Sequence, residues 1–346
     1  MRHYNTGRAE LDRLISSLIE QAGGSPDGDL LQEMMTTVLR LRDEKVGRGD
    51  LKIINTALKE LRYANKVFSP YRSIRKVALF GSARTPKQNP IYQQAKAFAR
   101  EITRHGWMVI TGGATGVMSA GNEGASREKS FGMNIRLPFE QEANPIIAKD
   151  PKLINFKYFF TRKLFFLKES DATVLFPGGF GTHDEGFESL TLVQTGKTEP
   201  RPIVCIDPPR SRYWKDWRAF VGGSLLRQGM IDAEDLGLID FTHSVGEAAE
   251  IITRFYRNFH SLRFVDKKLV IRMHRNLNRQ QMGRLNRDYQ DIIRGGKFQI
   301  TQVPLPQEDN EPETHSLVRL IFDFNRRDFS RLRKVIDVIN EVESRE

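Results

Sequence analysis

The chain has 346 residues, of which 39% are hydrophobic, enough for a large core and one or two smaller units. Its formal net charge of +11 suits either polynucleotide binding or the binding of small phosphates. The sequence contains no apolar run long enough to predict a membrane span, and its first twelve residues lack the apolar segment of a secretory signal. The lone Cys205 lies in an apolar run, which predicts a buried thiol and excludes an internal disulfide. We therefore expect a cytoplasmic protein.

Residues 1–70 carry apolar side chains at helical spacing in three segments, separated by glycine-containing breaks at 23–28 and 47–49. No pattern in them is typical of catalysis or ligand binding. We expect a helical N-terminal segment that serves packing or assembly.

Residues 71–260 alternate between strand and helix patterns. Such alternation predicts an α/β fold with a doubly wound parallel sheet, Rossmann-like, which binds ligands at the carboxyl ends of its strands. Glycine turns at Gly81, Gly112 and Gly178 follow predicted strands, so we expect them to form one composite site. Neither a Gly-x-Gly-x-x-Gly fingerprint nor a complete Walker A motif occurs. The predicted strands are 76–80, 107–111, 133–137, 172–176, 202–206 and 237–241.

The most informative stretch is 172–185, which reads as a buried strand, a glycine turn and the start of a helix. Glycines at 178, 179 and 181 leave backbone N–H groups uncovered beside a helix N-terminus, an arrangement that binds anions. A phosphorylated ligand is therefore expected here. Thr182 and Glu185 also have the spacing of a capping box, and in that alternative Glu185 serves only the helix end.

The run Pro-Gly-Gly-x-Gly-Thr-x-x-Glu at 177–185 resembles the signature of the Lonely Guy family, phosphoribohydrolases that cleave nucleoside 5′-monophosphates. Arg162 and Lys163 are similar to the family's Arg-Lys pair, with Arg162 standing 23 residues before Glu185. Residues 111–118 are similar to its second glycine loop. The resemblance covers roughly residues 75–260.

The resemblance implies hydrolysis of an N-ribosidic bond to a free base and ribose 5-phosphate, without a metal or cofactor. Glu185 would be the carboxylate near C1′, and Arg162 would hold the substrate, orient Glu185 or assist departure of the base. A surface salt bridge is the alternative for Arg162, and His183 is expected on the helix face rather than as a base. The family also implies at least a dimer, with the site near the interface. The remaining expected substrate-binding residues are Ser82, Gly113, Lys163, Gly178, Gly179, Gly181 and Thr182.

Residues 261–346 predict a small α+β domain, with a strand at 263–273 and further strands and helices beyond it. Twelve Lys or Arg against three Asp or Glu in residues 254–297 indicate a basic face, either solvated or suited to an anionic regulator or acidic partner. The acidic segment 307–313 predicts a turn too polar to pack. We thus predict three parts: 1–70, 71–260 and 261–346.

Two other functions stay open. One is a non-catalytic carrier or sensor of a phosphate ligand on the same fold, although a carrier needs the glycine turn and not the pair Arg162 and Glu185. The other is a nucleic-acid-binding protein that uses the basic C-terminal domain, although no nucleic-acid motif with a definite register appears.

Overall fold

The computed structural model describes residues 4–137, 142–308 and 311–341. Contacts divide the chain into two compact units, Met1–Tyr63 and Ala64–Glu346. The C-terminal elements thus share a unit with the parallel sheet, and the division at residues 70 and 260 stays a prediction. In the described part of the chain, no helix is long and apolar enough to cross a membrane.

The predicted N-terminal helices are present as α1 (Ala9–Gln21), α2 (Gly28–Asp43) and α3 (Arg48–Phe68). α1 and α2 are joined through Gly23 and Gly24, which both adopt positive φ. The apolar positions that predicted these helices are confirmed as helical, but several of their side chains are exposed: Leu14, Leu18, Leu30, Met34, Val38 and Leu58.

Seven strands form one parallel sheet in the order β4-β3-β2-β1-β5-β6-β7, which confirms the predicted doubly wound α/β fold. Strand β1 is buried along its whole length, as expected for a strand covered by helices on both faces. The strands are β1 (Lys76–Phe80), β2 (Met108–Thr111), β3 (Ser130–Ile135), β4 (Leu153–Phe156), β5 (Ala172–Leu175), β6 (Ile203–Ile206) and β7 (Asp240–Thr242).

The connecting helices begin where the sequence supplies a cap or a turn. Asn89 caps α4 by accepting a hydrogen bond from the N–H of Ile91 at 2.9 Å, and Ser244 caps α9 in the same way through Glu247. Helix α8 (Tyr213–Phe220) is followed directly by a π-helical turn at Val221–Leu226. The helices are α4 (Pro90–Arg104), α5 (Val117–Ala125), α6 (Phe159–Lys168), α7 (Phe180–Gln194), α8 (Tyr213–Phe220) and α9 (Val245–Phe255).

The strand order reverses direction at β1, which pairs with β2 on one side and with β5 on the other. Loops that leave such a switch point diverge to opposite faces and open a crevice between them. The loop after β1 also touches the loop after β2, since Val117 N–H donates to the Ser82 carbonyl at 3.0 Å. Gly116 permits this approach, because a Cβ there would lie 2.2 Å from the same oxygen.

The C-terminal residues form an antiparallel sheet in the order β10-β11-β9-β8, packed on helices α10 and α11 around a core of their own. Asn340 ties α11 to the end of α9 by accepting from the N–H groups of Asn258 and Phe259 at 2.8 and 3.0 Å. The elements are β8 (Phe259–Val265), β9 (Lys268–Met273), α10 (Arg279–Asp288), β10 (Gln299–Thr301), β11 (Val318–Phe322) and α11 (Phe329–Asn340).

Two predictions in this region were wrong. The single strand predicted at 263–273 is a hairpin of β8 and β9, turned at Asp266 with φ +53°. The acidic segment 307–313 is packed at one residue: Glu308 is fully buried and accepts from Arg272 and Arg319, each at 2.7 Å. Burial raises the pKa of Glu308, but hydrogen bonds from the Leu305 N–H, Arg319 and Arg272 outweigh it and lower the pKa to about 2. Residues 309 and 310 of this segment lie outside the described residues.

Candidate functional site

A cavity of about 730 Å³ opens at the carboxyl edge of the parallel sheet. Its walls come from the loop after β1, from Gly112 after β2, from the turn between β5 and α7, and from α6. The structure therefore brings the three predicted glycine turns together. Of the predicted site residues, the following line the cavity: Ser82, Arg162, Gly178, Gly179, Gly181, Thr182 and Glu185.

The turn between β5 and α7 presents backbone rather than side chains to the cavity. Positions 179 and 181 have open space where a Cβ would stand. Gly178 is packed instead, because a Cβ there would lie 2.0 Å from the Thr182 hydroxyl oxygen and 3.0 Å from the Ser82 nitrogen. The Thr182 N–H donates to the Gly179 carbonyl at 3.0 Å, but the N–H groups of Phe180 and Gly181 have no hydrogen bond among the described residues. This end of the cavity is therefore suited to an anion.

Helix α7 begins at Phe180, with Gly179 as its N-cap and no side-chain cap. Glu185 thus lies in the second turn of the helix rather than at the third position that a capping box requires. The capping-box alternative is wrong. Glu185 is instead a buried side chain, 5% exposed, on the cavity wall.

Burial raises the pKa of Glu185 from 4.5 to about 7. The positive charges of Lys163 and Arg162 oppose this shift, whereas Asp184 and Glu188 add to it. The carboxyl group can consequently exchange a proton near neutral pH, as a general acid or base must.

Arg162 projects from α6 with its guanidinium 5.5 Å from the Phe159 ring and 5.4 Å from the Phe166 ring. Burial lowers its pKa, and the negative charges of Glu185 and Asp184 oppose that shift. Among the described residues this guanidinium forms no ion pair, so the salt-bridge alternative is not what the structure contains. Its donors remain available to an anionic ligand.

Two predicted substrate-binding residues lie outside the cavity wall. Lys163 forms ion pairs with Asp184 at 2.8 Å and with Glu188, and so joins α6 to α7. Gly113 is buried behind Gly112, where its N–H donates to the Thr111 hydroxyl at 3.0 Å and its carbonyl accepts from Asn144 at 2.8 Å. Both residues support the cavity from behind.

Tyr213 is a site residue that sequence reasoning missed. Its hydroxyl donates to the Gly178 carbonyl, so it must accept from the Nε2–H of His183, 2.7 Å away. Tyr213 thereby holds the glycine turn and orients His183, which lines the cavity. No sequence signal points to it, because it follows Glu185 by 28 residues and lies in no motif.

Arg84 is a second missed residue. It lines the cavity two positions after Ser82, is exposed, and forms no ion pair within the described ranges. A basic residue directly after the first glycine turn could have been found from the sequence. No group of three or more His, Cys, Asp or Glu suited to a metal ion occurs among the residues described.

The buried Glu185 should reduce the stability of the protein at high pH. Its folded-state pKa of about 7 exceeds the unfolded value of 4.5, so the cost is absent below pH 4.5 and complete above pH 7. At 1.36 kcal/mol per pKa unit this cost reaches roughly 3 kcal/mol. Glu185→Gln should therefore raise Tm at about pH 8 and much less at about pH 5. An equal rise in Tm at both pH values would mean that ionisation of Glu185 does not destabilise the folded protein.

The comparisons with known proteins agree with these motifs. Residues 113–252 match the family described as possible lysine decarboxylase. A cytokinin riboside 5′-monophosphate phosphoribohydrolase from Mycobacterium tuberculosis is 28% identical over 166 residues, 45% of this chain and 79% of that protein.

Two similar solved structures have low TM-scores. A structural-genomics target is 22% identical, covering 52% of this chain and 99% of its own, with a TM-score of 0.38. A molybdenum cofactor binding protein from Rippkaea orientalis is 17% identical, covering 52% and 94%, with a TM-score of 0.37. These likenesses do not bear on function. The sequence match and the relative support the resemblance of the cavity motifs to the Lonely Guy family, whose members often carry the name lysine decarboxylase.

Proposed function

We propose that the protein hydrolyses the N-ribosidic bond of nucleoside 5′-monophosphates, releasing a free base and ribose 5-phosphate. The observation that carries this proposal is the buried Glu185, with a pKa raised to about 7, on the wall of a cavity that ends in a side-chain-free helix N-terminus. A phosphate carrier needs the helix end but gains nothing from an adjacent buried carboxyl group. The relative's name supports the same reaction class.

The 5′-phosphate binds at Gly179, Gly181 and Thr182, with Ser82 and Gly178 shaping the turn that receives it. Arg162 contributes donors to the substrate, and Lys163 sets the field around Glu185 through its two ion pairs. In this proposal the ribose lies between the phosphate and the carboxyl group of Glu185.

The ionised Glu185 acts at C1′, where positive charge develops as the bond to the base breaks. The oxygen of a water molecule bonds to C1′, and one of its protons passes to the carboxylate. The base leaves with the electron pair of the broken bond and takes up a proton from solvent on its nitrogen, and the Glu185 carboxyl group returns its proton to solvent. Arg162 stabilises the departing base or the phosphate end of the substrate.

The direct test is incubation of the full-length protein with a panel of purine, pyrimidine and cytokinin-type monophosphates, scored for free base. Release from at least one member supports the proposal and identifies the base. Tight binding without release from any of them would favour a carrier or sensor. Such metabolites are found in the cytoplasm, where we place the activity.

The pH dependence should follow Glu185. Because the carboxylate is the active form, kcat/KM should rise with pH and reach half its maximum near pH 7, the pKa of the free enzyme's group. The substrate phosphate itself titrates near pH 6, so the measurement is repeated with a phosphonate analogue of different acidity. If the pH at half-maximal kcat/KM moves with the analogue, the rise in kcat/KM reports ionisation of the substrate rather than of Glu185.

We further propose that a second copy of the chain covers the outer face of α6. Phe159, Phe160 and Leu164 are 56%, 56% and 48% exposed there, and Phe180 is 96% exposed at the start of α7. Phe159 and Phe180 also line the cavity, so the exposed apolar surface is continuous with the candidate site. A second copy bound there would exclude water from the exposed apolar surface and from the candidate site.

The expected outcome is a dimer by analytical ultracentrifugation at micromolar concentration. Phe160→Asp should shift it toward monomer, because the substitution places a charge in the buried interface. Phe220→Asp, at a residue also 53% exposed but outside the cavity wall, is the matched control. Monomeric wild-type protein would rule the dimer out.

A further inference from the structure

A second cavity, of about 430 Å³, lies at the opposite edge of the parallel sheet. Its walls include Arg75, Asp171 and Arg201, which stand just before strands β1, β5 and β6. The candidate active site lies at the carboxyl ends of the same strands. The two cavities are therefore on opposite edges, and no residue is shared between their linings.

Positive charge predominates in this second cavity. Four cationic side chains line it, Arg72, Arg75, Lys168 and Arg201, against the two carboxylates of Asp171 and Glu199. Arg75 pairs with Asp171 at 3.0 Å and Lys168 pairs with Glu169, which leaves Arg72 and Arg201 against Glu199. An anion would offset the remaining charge.

Several of these groups are fixed in place before any ligand arrives. Arg75 stacks on the Tyr256 ring at 3.7 Å, and Arg201 donates to the carbonyls of Leu167 and Ser170 at 2.8 and 2.7 Å. A guanidinium held by one side of its fork keeps its other N–H groups for a ligand. The cavity is thus pre-organised for recognition of an anion.

Arg72 differs from the other cations because its side chain has no hydrogen bond or ion pair among the described residues. It is exposed at the mouth of a cavity whose other arginines are held. Its full charge and all its donors are free for a ligand.

The backbone also directs the His260 side chain into the second cavity. His260 lies at the irregularity of strand β8 between Phe259 and Ser261, where the extra residue turns its side chain toward the cavity. Burial, together with the positive charges of His274, Arg75 and Arg272, lowers the pKa of His260 to about 4. The field at this position is therefore positive.

We propose that this cavity is a second ligand site, which binds a phosphorylated small molecule bearing more than one phosphate group. Two arginines and a lysine from three separate segments can each take a phosphate oxygen, and Arg forks match phosphate geometry. The volume falls in the range of small-molecule sites and exceeds what a single inorganic ion fills. The site is independent of the proposed hydrolase reaction.

The test uses the full-length protein with inorganic pyrophosphate as the probe. Binding is measured by isothermal titration calorimetry and located by hydrogen exchange, which separates this cavity from the glycine turn at 178–182. We expect pyrophosphate to protect residues 69–76 and 196–203. Arg72→Ala should weaken the binding event that gives this protection by about ten- to a hundredfold, the loss of one or more charge-assisted hydrogen bonds.

Arg72 is exposed and unpaired, so its replacement should not disturb folding, and Arg72→Glu should abolish the same event. Arg279→Ala removes another exposed arginine, at the start of α10, and should leave the affinity unchanged. The proposal is overturned if millimolar pyrophosphate protects only residues 178–185. It is overturned equally if Arg72→Ala binds as tightly as the wild type.

Discussion

Glu185→Gln should lower turnover of the preferred monophosphate by about 10²–10⁴, the usual contribution of a positioned acid–base group. The amide is nearly isosteric with the carboxyl group, but it can neither accept a proton from water nor stabilise positive charge at C1′. Substrate binding should largely survive, because the proposed phosphate contacts come from the backbone at 179 and 181, where the structure leaves open space. The loss should therefore appear in kcat rather than in KM.

Glu188→Gln is the matched control for this variant. Glu188 lies one turn further along α7 and pairs with Lys163, so the change removes the same charge from the same cluster without removing the carboxyl group on the cavity wall. Its turnover should fall far less. Near-normal turnover in a folded Glu185→Gln protein would remove Glu185 from the chemistry.

Monophosphates should be preferred over the corresponding nucleosides by about a hundredfold or more in kcat/KM. Charge-assisted hydrogen bonds contribute on the order of 1.5–3 kcal/mol each, and a nucleoside loses at least two at the helix end. Equal rates on a nucleoside and its monophosphate would contradict the assigned phosphate site.

Gly179→Ala sharpens this prediction. The protein itself leaves space for the added methyl group, so only a ligand would collide with it. The variant should keep its stability and its slow nucleoside rate while losing much of the preference for monophosphates. An unchanged preference would place the phosphate elsewhere in the cavity.

The sequence predicted the parts of the fold and site that depend on local chemistry. Buried strands end in glycines at Gly81, Gly112 and Gly178, and parallel strands carry such turns to one edge. This was sufficient to anticipate the composite cavity. The roles of Arg162 and Glu185 came from the family resemblance, and they stay predictions.

What the sequence could not supply depends on contacts between distant residues. Tyr213 reaches Gly178 only because β5 and β6 are neighbours in the sheet. The sequence predicted Glu308 to be solvated because its partners are distant in the chain. Arg272 and Arg319 lie 36 and 11 residues away, on strands β9 and β11. A buried charge is predictable only once the groups that neutralise it are known.

Local patterns also failed at boundaries. The hairpin of β8 and β9 reads as one strand, since its turn at Asp266 and Lys267 lacks glycine and is flanked on both sides by strand-forming residues. The start of α7 was placed at Thr182 because Thr is a favoured N-cap, whereas the cap is Gly179. Because α7 begins earlier than predicted, Glu185 lies on the cavity wall rather than at the helix end.

The most direct test of the central claim is a mass balance on the wild-type protein. A chosen nucleoside 5′-monophosphate is incubated with catalytic amounts of enzyme, and free base and ribose 5-phosphate are both quantified by mass spectrometry. The proposed function predicts equimolar release of the two products over many turnovers, and almost none with Glu185→Gln. Stoichiometric binding of intact nucleotide without either product would contradict it.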